Sequence, residues 1–113
     1  MPEVKPVVKF SFSCCGEESF QQELKALNRK QVLLTGIETH VCIYQTAVEL
    51  VNAGYEVQIV ADCVSSRTPF NRDIGLNRMN AAGASITSVE TALFELLRVA
   101  KGDKFKEISR IVK

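Results

Sequence analysis

The chain has 113 residues, which suits a single domain of the commonest size. Apolar residues make up 46% of it and the net charge is +1, so a folded core is expected, while neither nucleic acid nor an anionic membrane is favoured as a partner. The sequence contains no apolar run of about 18 residues, the length that would predict a membrane-spanning helix.

The N-terminal segment and the cysteines favour a cytoplasmic location. Residues 1–12 are too few and too charged for a signal peptide. A disulfide-bonded secreted chain is the alternative, but four cysteines in 113 residues are sparse for one, so reduced thiols are predicted. Because His40 is the single histidine, no metal site is predicted, and no cofactor is expected.

The first half of the chain alternates between strand and helix patterns. Residues 7–12 read as a short strand and residues 16–27 as a helix with one apolar face. The apolar run at 31–35 is typical of a buried parallel strand. Residues 40–53 follow the helical i, i+3, i+4, i+7 pattern, and Gly54 ends that helix.

The second half repeats the alternation, with strands expected at 56–61 and 84–86. Thr68 and Pro69 form an N-cap and first-turn proline for a helix that runs to Ala82. Thr87 and Glu90 have the spacing of a capping box. The helix that follows them is predicted to bury four apolar residues, and a last helix is expected at 103–112. Those four residues are Leu93, Leu96, Leu97 and Ala100.

Alternating strands and helices predict an α/β fold with a parallel sheet and right-handed crossovers. Ligands of such sheets bind beyond the carboxyl ends of the strands. The loops at 36–41 and 62–67 both lie at such ends.

The segment from Gly36 to Cys42, GIETHVC, carries the chemistry that the sequence suggests. It follows a buried strand and opens a helix, so the first N–H groups of that helix and its dipole would favour the thiolate of Cys42. The same N–H groups could hold an oxyanion when a thiolate attacks a carbonyl. The alternative is that Cys42 is simply a small buried residue, the commonest state of a free cysteine.

Five segments, in the same order, resemble the isochorismatase-like cysteine hydrolases, in the branch of isochorismatase domain-containing proteins. They are K-x-x-F-S at 9–13, GIETHVC at 36–42, VADCVSSR at 60–67, GASITSVE at 83–90 and FKEISRIVK at 105–113. The resemblance implies a three-layer α/β/α, Rossmann-like fold with a parallel sheet. It also implies a catalytic triad of Asp, Lys and Cys that hydrolyses small amide-like substrates through a covalent intermediate.

Residue by residue, the resemblance implies that Cys42 is the nucleophile and Lys9 the catalytic lysine. It further implies a cis peptide bond at Ile37–Glu38. The segment Ile37, Glu38, Thr39, His40 and Val41 would then line the substrate and oxyanion site. Two further residues are left open: Asp62 as a capping residue of its loop, and Arg67 as a contact for a substrate anion or one half of a surface ion pair.

The implied catalytic Asp has no counterpart, because only eight residues precede Lys9 and the family carries this Asp on its first strand. Residues 1–113 are therefore interpreted as the C-terminal portion of an isochorismatase-like domain, without its N-terminal strands. The function expected is a cysteine hydrolase that is incomplete or weakly active as this chain, acting on a small molecule. It would form a homo-oligomer or bind a complementing chain. The alternative is a non-catalytic oligomerisation or interaction protein that keeps the hydrolase scaffold.

Overall fold

The computed structural model describes residues 4–113. Its centre is a parallel sheet in the order β1 (Gln31–Ile37), β2 (Glu56–Ser65) and β3 (Ser85–Thr87). Five α-helices accompany the sheet: α1 (Glu18–Leu27), α2 (Tyr44–Asn52), α3 (Pro69–Ala81), α4 (Val89–Leu97) and α5 (Asp103–Val112). A 3₁₀ turn, Cys14–Gly16, precedes α1, and a π-helical turn, Thr39–Ile43, leads into α2.

The core lies between α2, α3 and one face of the sheet. Val32 and Leu34 of β1 stand beside Val57 and Ile59 of β2, and all four join one apolar cluster. Their removal from water is the main force that holds these layers together. The most deeply buried members of the cluster are Ala47, Leu50, Ile59 and Met79.

The opposite face of the sheet is only partly covered. Leu33 and Gln58 point to this face, and they line a pocket together with Ala92 and Leu96 of α4. Alpha-helices therefore lie on both faces, as the predicted three-layer fold requires. β1 pairs with β2 alone among the described residues, so its other edge is free. Leu33 is 50% exposed on this side, and Leu96 is 78% exposed.

The burial predicted after β3 and the capping predicted at Thr87 are wrong. Leu93 and Leu97 are only partly buried, and Leu96 is exposed because no further layer of the described chain packs over α4 on that side. Ala100 is exposed beyond the end of α4. The helix N-cap is Ser88, whose side chain accepts from the N–H of Thr91, while Thr87 belongs to β3. The cap that was predicted at Thr68, with Pro69 following, is confirmed.

The strand predicted at residues 7–12 is also wrong. Among these residues the backbone forms no ladder, and its polar groups bond to side chains instead: the N–H groups of Phe10 and Ser11 donate to Glu17. A strand needs a neighbour to satisfy its amides, and here a carboxylate does so. β1 and β2 run past their predicted ends to Ile37 and Ser65.

Candidate active site

The candidate site begins where β1 ends. The peptide bond Ile37–Glu38 is cis, as the resemblance implied, and the π-helical turn Thr39–Ile43 follows at once. Cys42 lies in this turn and is partly buried. The thiol is therefore located at the carboxyl end of a parallel strand, the place where α/β sheets bind ligands.

Hydrogen bonds within the π-helical turn determine which amides remain for a ligand. The N–H groups of Val41 and Ile43 both donate to the carbonyl oxygen of Glu38, at 3.1 and 3.2 Å. The first N–H groups of a helical turn, here those of Thr39 and His40, have no carbonyl of the same helix to donate to. The amide of Val41, by contrast, is already used within the turn.

Thr39 is fully buried at the start of this turn. Its hydroxyl is the buried side-chain group without a hydrogen-bond partner among residues 4–113. Gly75 of α3 packs directly on the turn: a Cβ atom at Gly75 would lie 2.8 Å from the carbonyl carbon and oxygen of Thr39. Only a glycine lets α3 approach the turn this closely.

Two side-chain pairs join the end of β1 to the end of β2. Glu38 accepts hydrogen bonds from the backbone N–H and the Nε of Arg67, at 3.0 and 3.2 Å. Nδ1 of His40 lies 2.9 Å from the hydroxyl oxygen of Ser66. The predicted surface ion pair of Arg67 is thus present, and His40 is held by a hydroxyl.

Asp62 has a different role from the one that was predicted. Its carboxylate accepts from the N–H of Val89 at 3.0 Å, so it binds the first turn of α4 rather than capping its own loop. This contact helps to align β2 with α4, and it stabilises the helix because a carboxylate is favourable at a helix N-terminus.

Lys9 lies in a loop that precedes the 3₁₀ turn and is partly buried. Its ammonium donates to the carbonyl oxygens of Ser11 and Phe12, both at 3.0 Å. The loop is attached to α2, because the N–H of Cys14 donates to the hydroxyl of Thr46 at 2.9 Å. Thr46 lies in α2, the helix that follows the π-helical turn with Cys42, so the loop is anchored to the same helical segment.

All four cysteines are free thiols, as predicted. Burial raises the pKa of the Cys15 thiol above its ordinary value, partly offset by the hydroxyl of Ser13. Cys63 is exposed, and Cys14 is partly buried. Within residues 4–113, no three or more His, Cys, Asp or Glu side chains are grouped as a metal would require. No helix in this range is long and apolar enough to cross a membrane.

Three residues that shape the site were not identified from the sequence. Glu17 lies within the residues predicted as a helix, 16–27, yet its carboxylate organises the Lys9 loop. Gly75 lies in the middle of a helix, where a glycine without a local purpose is a signal of close packing. Thr46 gave no signal, because a threonine on the buried side of a helix looks like any other core residue.

The described residues thus form an α/β protein with a free thiol in the helical turn that follows the parallel strand β1. The Isochorismatase domain family matches residues 2–91. The chain therefore belongs to the isochorismatase family, and its fold is that of the isochorismatase-like hydrolases.

Relatives and solved structures agree with this assignment. The secreted isochorismatase effector Isc1 of Phytophthora sojae is 45% identical over 99% of this chain, and the match covers 54% of Isc1. Other curated relatives include isochorismatase domain-containing proteins. The chain thus spans about half the length of the curated relatives it matches.

Two solved structures superpose closely. The MAR1 ribonuclease of Caenorhabditis elegans has a TM-score of 0.81 and 36% identity, covering 92% of this chain and 53% of that protein. YcaC from Pseudomonas aeruginosa, solved with hexane-2,5-diol and covalent acrylamide, has a TM-score of 0.83 and 28% identity, covering 88% of this chain and 50% of YcaC.

Proposed function

We propose that residues 1–113 are the C-terminal, cysteine-bearing portion of an isochorismatase-family hydrolase that cleaves a small amide-like substrate through Cys42. The observation that carries the proposal is the Cys14–Thr46 hydrogen bond of 2.9 Å. It anchors the Lys9 loop on the helix that opens with the Cys42 turn. This contact supports the proposal that Lys9 and Cys42 act at one site.

The proposed reaction begins when the Cys42 thiolate attacks the carbonyl carbon of the substrate. A C–S bond forms, and the electron pair of the C=O double bond moves onto oxygen, where the Thr39 and His40 N–H groups can donate to it. The tetrahedral intermediate collapses, the C–N bond breaks and the amine departs with a proton. Water then attacks the thioester, releasing the acid and restoring the thiol.

Lys9 is proposed to stabilise the negative charges of this reaction. An ammonium has three N–H donors, and two of them are used by the carbonyls of Ser11 and Phe12. The third remains for the thiolate or for a carboxylate beside it. A positive charge held at a fixed place stabilises developing negative charge without having to reorganise during the reaction.

The general base is proposed to come from outside residues 4–113. Glu17, whose charge interacts with that of Lys9, is used within the loop, because its Oε2 accepts from the N–H groups of Phe10 and Ser11. A general base typically contributes about 10²–10⁴-fold to a rate. The chain alone should therefore turn over very slowly.

The partner that supplies the base is proposed to pair with the free edge of β1. A parallel strand added there would satisfy the unpaired amides and cover Leu33. It would also end beside Cys42, because β1 ends at Ile37. A second polypeptide that resembles the uncovered half of the relatives meets these conditions, and self-association through the same edge is the other way to cover it.

The substrate is proposed to be a small molecule in the cytoplasm. The covalent acrylamide on YcaC of Pseudomonas aeruginosa supports a nucleophilic residue in a similar fold, because acrylamide reacts with nucleophiles at its carbon–carbon double bond. The nematode relative is called a ribonuclease, but a net charge of +1 with scattered basic residues gives this chain little attraction for a polyanion. The Phytophthora relative is called secreted, so location is a separate question from chemistry.

A non-catalytic interaction protein is the second candidate. It is favoured by the exposed apolar side chains along β1, Leu33 and Ile37, which are 50% and 69% exposed. Exposed apolar groups on a free strand edge are typical of a docking surface. In that case the hydrolase scaffold would serve assembly rather than chemistry.

The test is complementation. The chain is co-expressed with the segment of the Phytophthora sojae relative that it does not cover, and the complex is assayed on a panel of small amides. We expect activity well above that of either piece, abolished by Cys42→Ala and retained by Cys63→Ala. An assembled complex that is inert on the panel supports the interaction protein, and an active Cys42→Ala complex rules out the mechanism.

A further inference from the structure

The Glu17 carboxylate is the centre of the loop that holds Lys9. One oxygen, Oε2, accepts three hydrogen bonds: from the N–H of Phe10 at 3.1 Å, from the N–H of Ser11 at 3.2 Å and from the hydroxyl of Ser11 at 2.9 Å. Hydrogen bonds to an ionised acceptor are stronger than neutral ones. The carboxylate therefore fixes the backbone of the two residues that follow Lys9.

The same backbone then holds the ammonium. The carbonyl oxygens of Ser11 and Phe12 accept from Nζ of Lys9, both at 3.0 Å. The N–H and the C=O of Ser11 are thus used in opposite directions, one by Glu17 and the other by Lys9. A shift of the Ser11 backbone would move both acceptors of the ammonium.

The loop is too tightly built to take another arrangement at low cost. The single hydroxyl proton of Ser11 is shared between Glu17 and the carbonyl oxygen of Ser13, which lies 2.8 Å from the hydroxyl oxygen, and Ser13 is buried at the start of the 3₁₀ turn. A Cβ atom at Gly16 would lie 2.4 Å from the hydroxyl oxygen of Ser11. The position of Ser11 is consequently set from both sides, by Glu17 and by the turn.

We propose that Glu17 is a positioning residue for Lys9: it does not touch the substrate, but it fixes the two carbonyls that hold the ammonium in place. The inference rests on the proposed function, since it assumes that Lys9 acts in the reaction. Hydrogen bonds from the Phe10 and Ser11 amides hold the pKa of Glu17 below its ordinary value, with Lys9 contributing in the same direction. Glu17 therefore stays ionised at neutral pH.

The first test needs no activity. Lysines of the intact chain are labelled with acetic anhydride at neutral pH, and Lys9 is compared with Lys25 by mass spectrometry. Lys9 must leave two acceptors before it can react, so we expect Glu17→Ala to raise its relative labelling several-fold. Glu17→Gln keeps a neutral acceptor of the same shape, so its relative labelling of Lys9 should lie between that of the parent chain and that of Glu17→Ala. Glu18→Gln, a change of the adjacent exposed glutamate, should leave the ratio unchanged.

Equal labelling ratios in the parent chain, Glu17→Gln and Glu17→Ala would overturn the proposal. Circular dichroism checks that the variants fold, and Glu17→Gln, with the same side-chain shape, serves if Glu17→Ala does not. In the complemented complex, Glu17→Gln should lower kcat severalfold with little change in KM, whereas Glu18→Gln should change neither. An inert complex would count against the proposed function and leave the labelling result to decide the role of Glu17.

Discussion

Glu38 holds Arg67 twice: its carboxylate accepts from the backbone N–H at 3.0 Å and from the side-chain Nε at 3.2 Å. The first bond is to the chain itself and the second to an almost fully exposed guanidinium. Glu38 follows the cis peptide bond, and Arg67 closes the loop after β2. One carboxylate therefore connects the ends of two strands on the side where Cys42 lies.

The two hydrogen bonds of Glu38 should differ in their contribution to stability. Arg67→Ala removes an exposed ion pair and should lower the free energy of unfolding by at most about 1 kcal/mol. Glu38→Ala also removes the acceptor of the Arg67 N–H, so we expect it to cost about 1 kcal/mol more. Urea unfolding of both variants measures the difference, and an equal loss would show that the backbone bond contributes nothing.

Gly75→Ala should destabilise the protein although alanine is the better helix former. Propensity alone predicts a gain of about 1 kcal/mol in a helix interior. The added Cβ would, however, lie 2.8 Å from the backbone of Thr39 and 2.9 Å from the Cα of His40, and neither can yield without moving the turn. Overpacking of this kind costs about 1–3 kcal/mol, so a net loss in urea unfolding is expected.

The control for Gly75→Ala is Asn77→Ala, two residues along the same helix on its exposed side. It carries the propensity gain without the steric contact, so the midpoint of unfolding should stay the same or rise slightly. A Gly75→Ala variant that is as stable as Asn77→Ala would contradict the close packing of α3 on the turn.

Local patterns in the sequence predicted the elements that the sheet needs. The apolar runs at 31–35 and 56–61 became β1 and β2, although β1 is not the buried strand that was predicted, because it lies at the free edge and Leu33 is half exposed. Thr68 and Pro69 predicted the start of α3 correctly, since a cap depends on adjacent residues alone. The cis peptide bond followed from the resemblance and not from any local pattern.

The predictions that failed concern features that depend on contacts between groups distant in the sequence or on competition between groups. Residues 7–12 have strand composition, yet their amides are taken by the Glu17 side chain, which no periodicity records. Leu96 fits the buried face of a helix, but its exposure depends on whether another layer lies above it. The link from Cys14 to Thr46 spans 32 residues, and such a distance gives no short-range signal.

The free edge of β1 predicts self-association of the chain on its own. Exposed apolar side chains beside unpaired strand amides favour pairing with another copy. Sedimentation at micromolar concentration should show dimers or larger species, and Leu33→Lys should shift the distribution toward the monomer. Ile111→Lys, a control at a residue of α5 that is 71% exposed, should not. A parent chain that is a compact monomer would contradict the prediction.

Cys42 is expected to be the most reactive thiol of the folded chain. It is partly buried in the π-helical turn that follows β1, whereas burial raises the pKa of the Cys15 thiol. A raised pKa means less thiolate at neutral pH, so Cys15 should react slowest and gain speed only as the pH rises well above neutral. Cys63 is the informative comparison, because it is the most exposed of the four and would react first if access alone decided the rate.

Brief iodoacetamide treatment at neutral pH, followed by peptide mass spectrometry, gives the four rates side by side. We expect Cys42 to exceed Cys63 severalfold, and Lys9→Ala to reduce the rate of Cys42 while leaving that of Cys63 unchanged. If Cys63 or Cys14 reacts clearly faster than Cys42, then the turn does not activate its thiol and Cys42 is not the nucleophile.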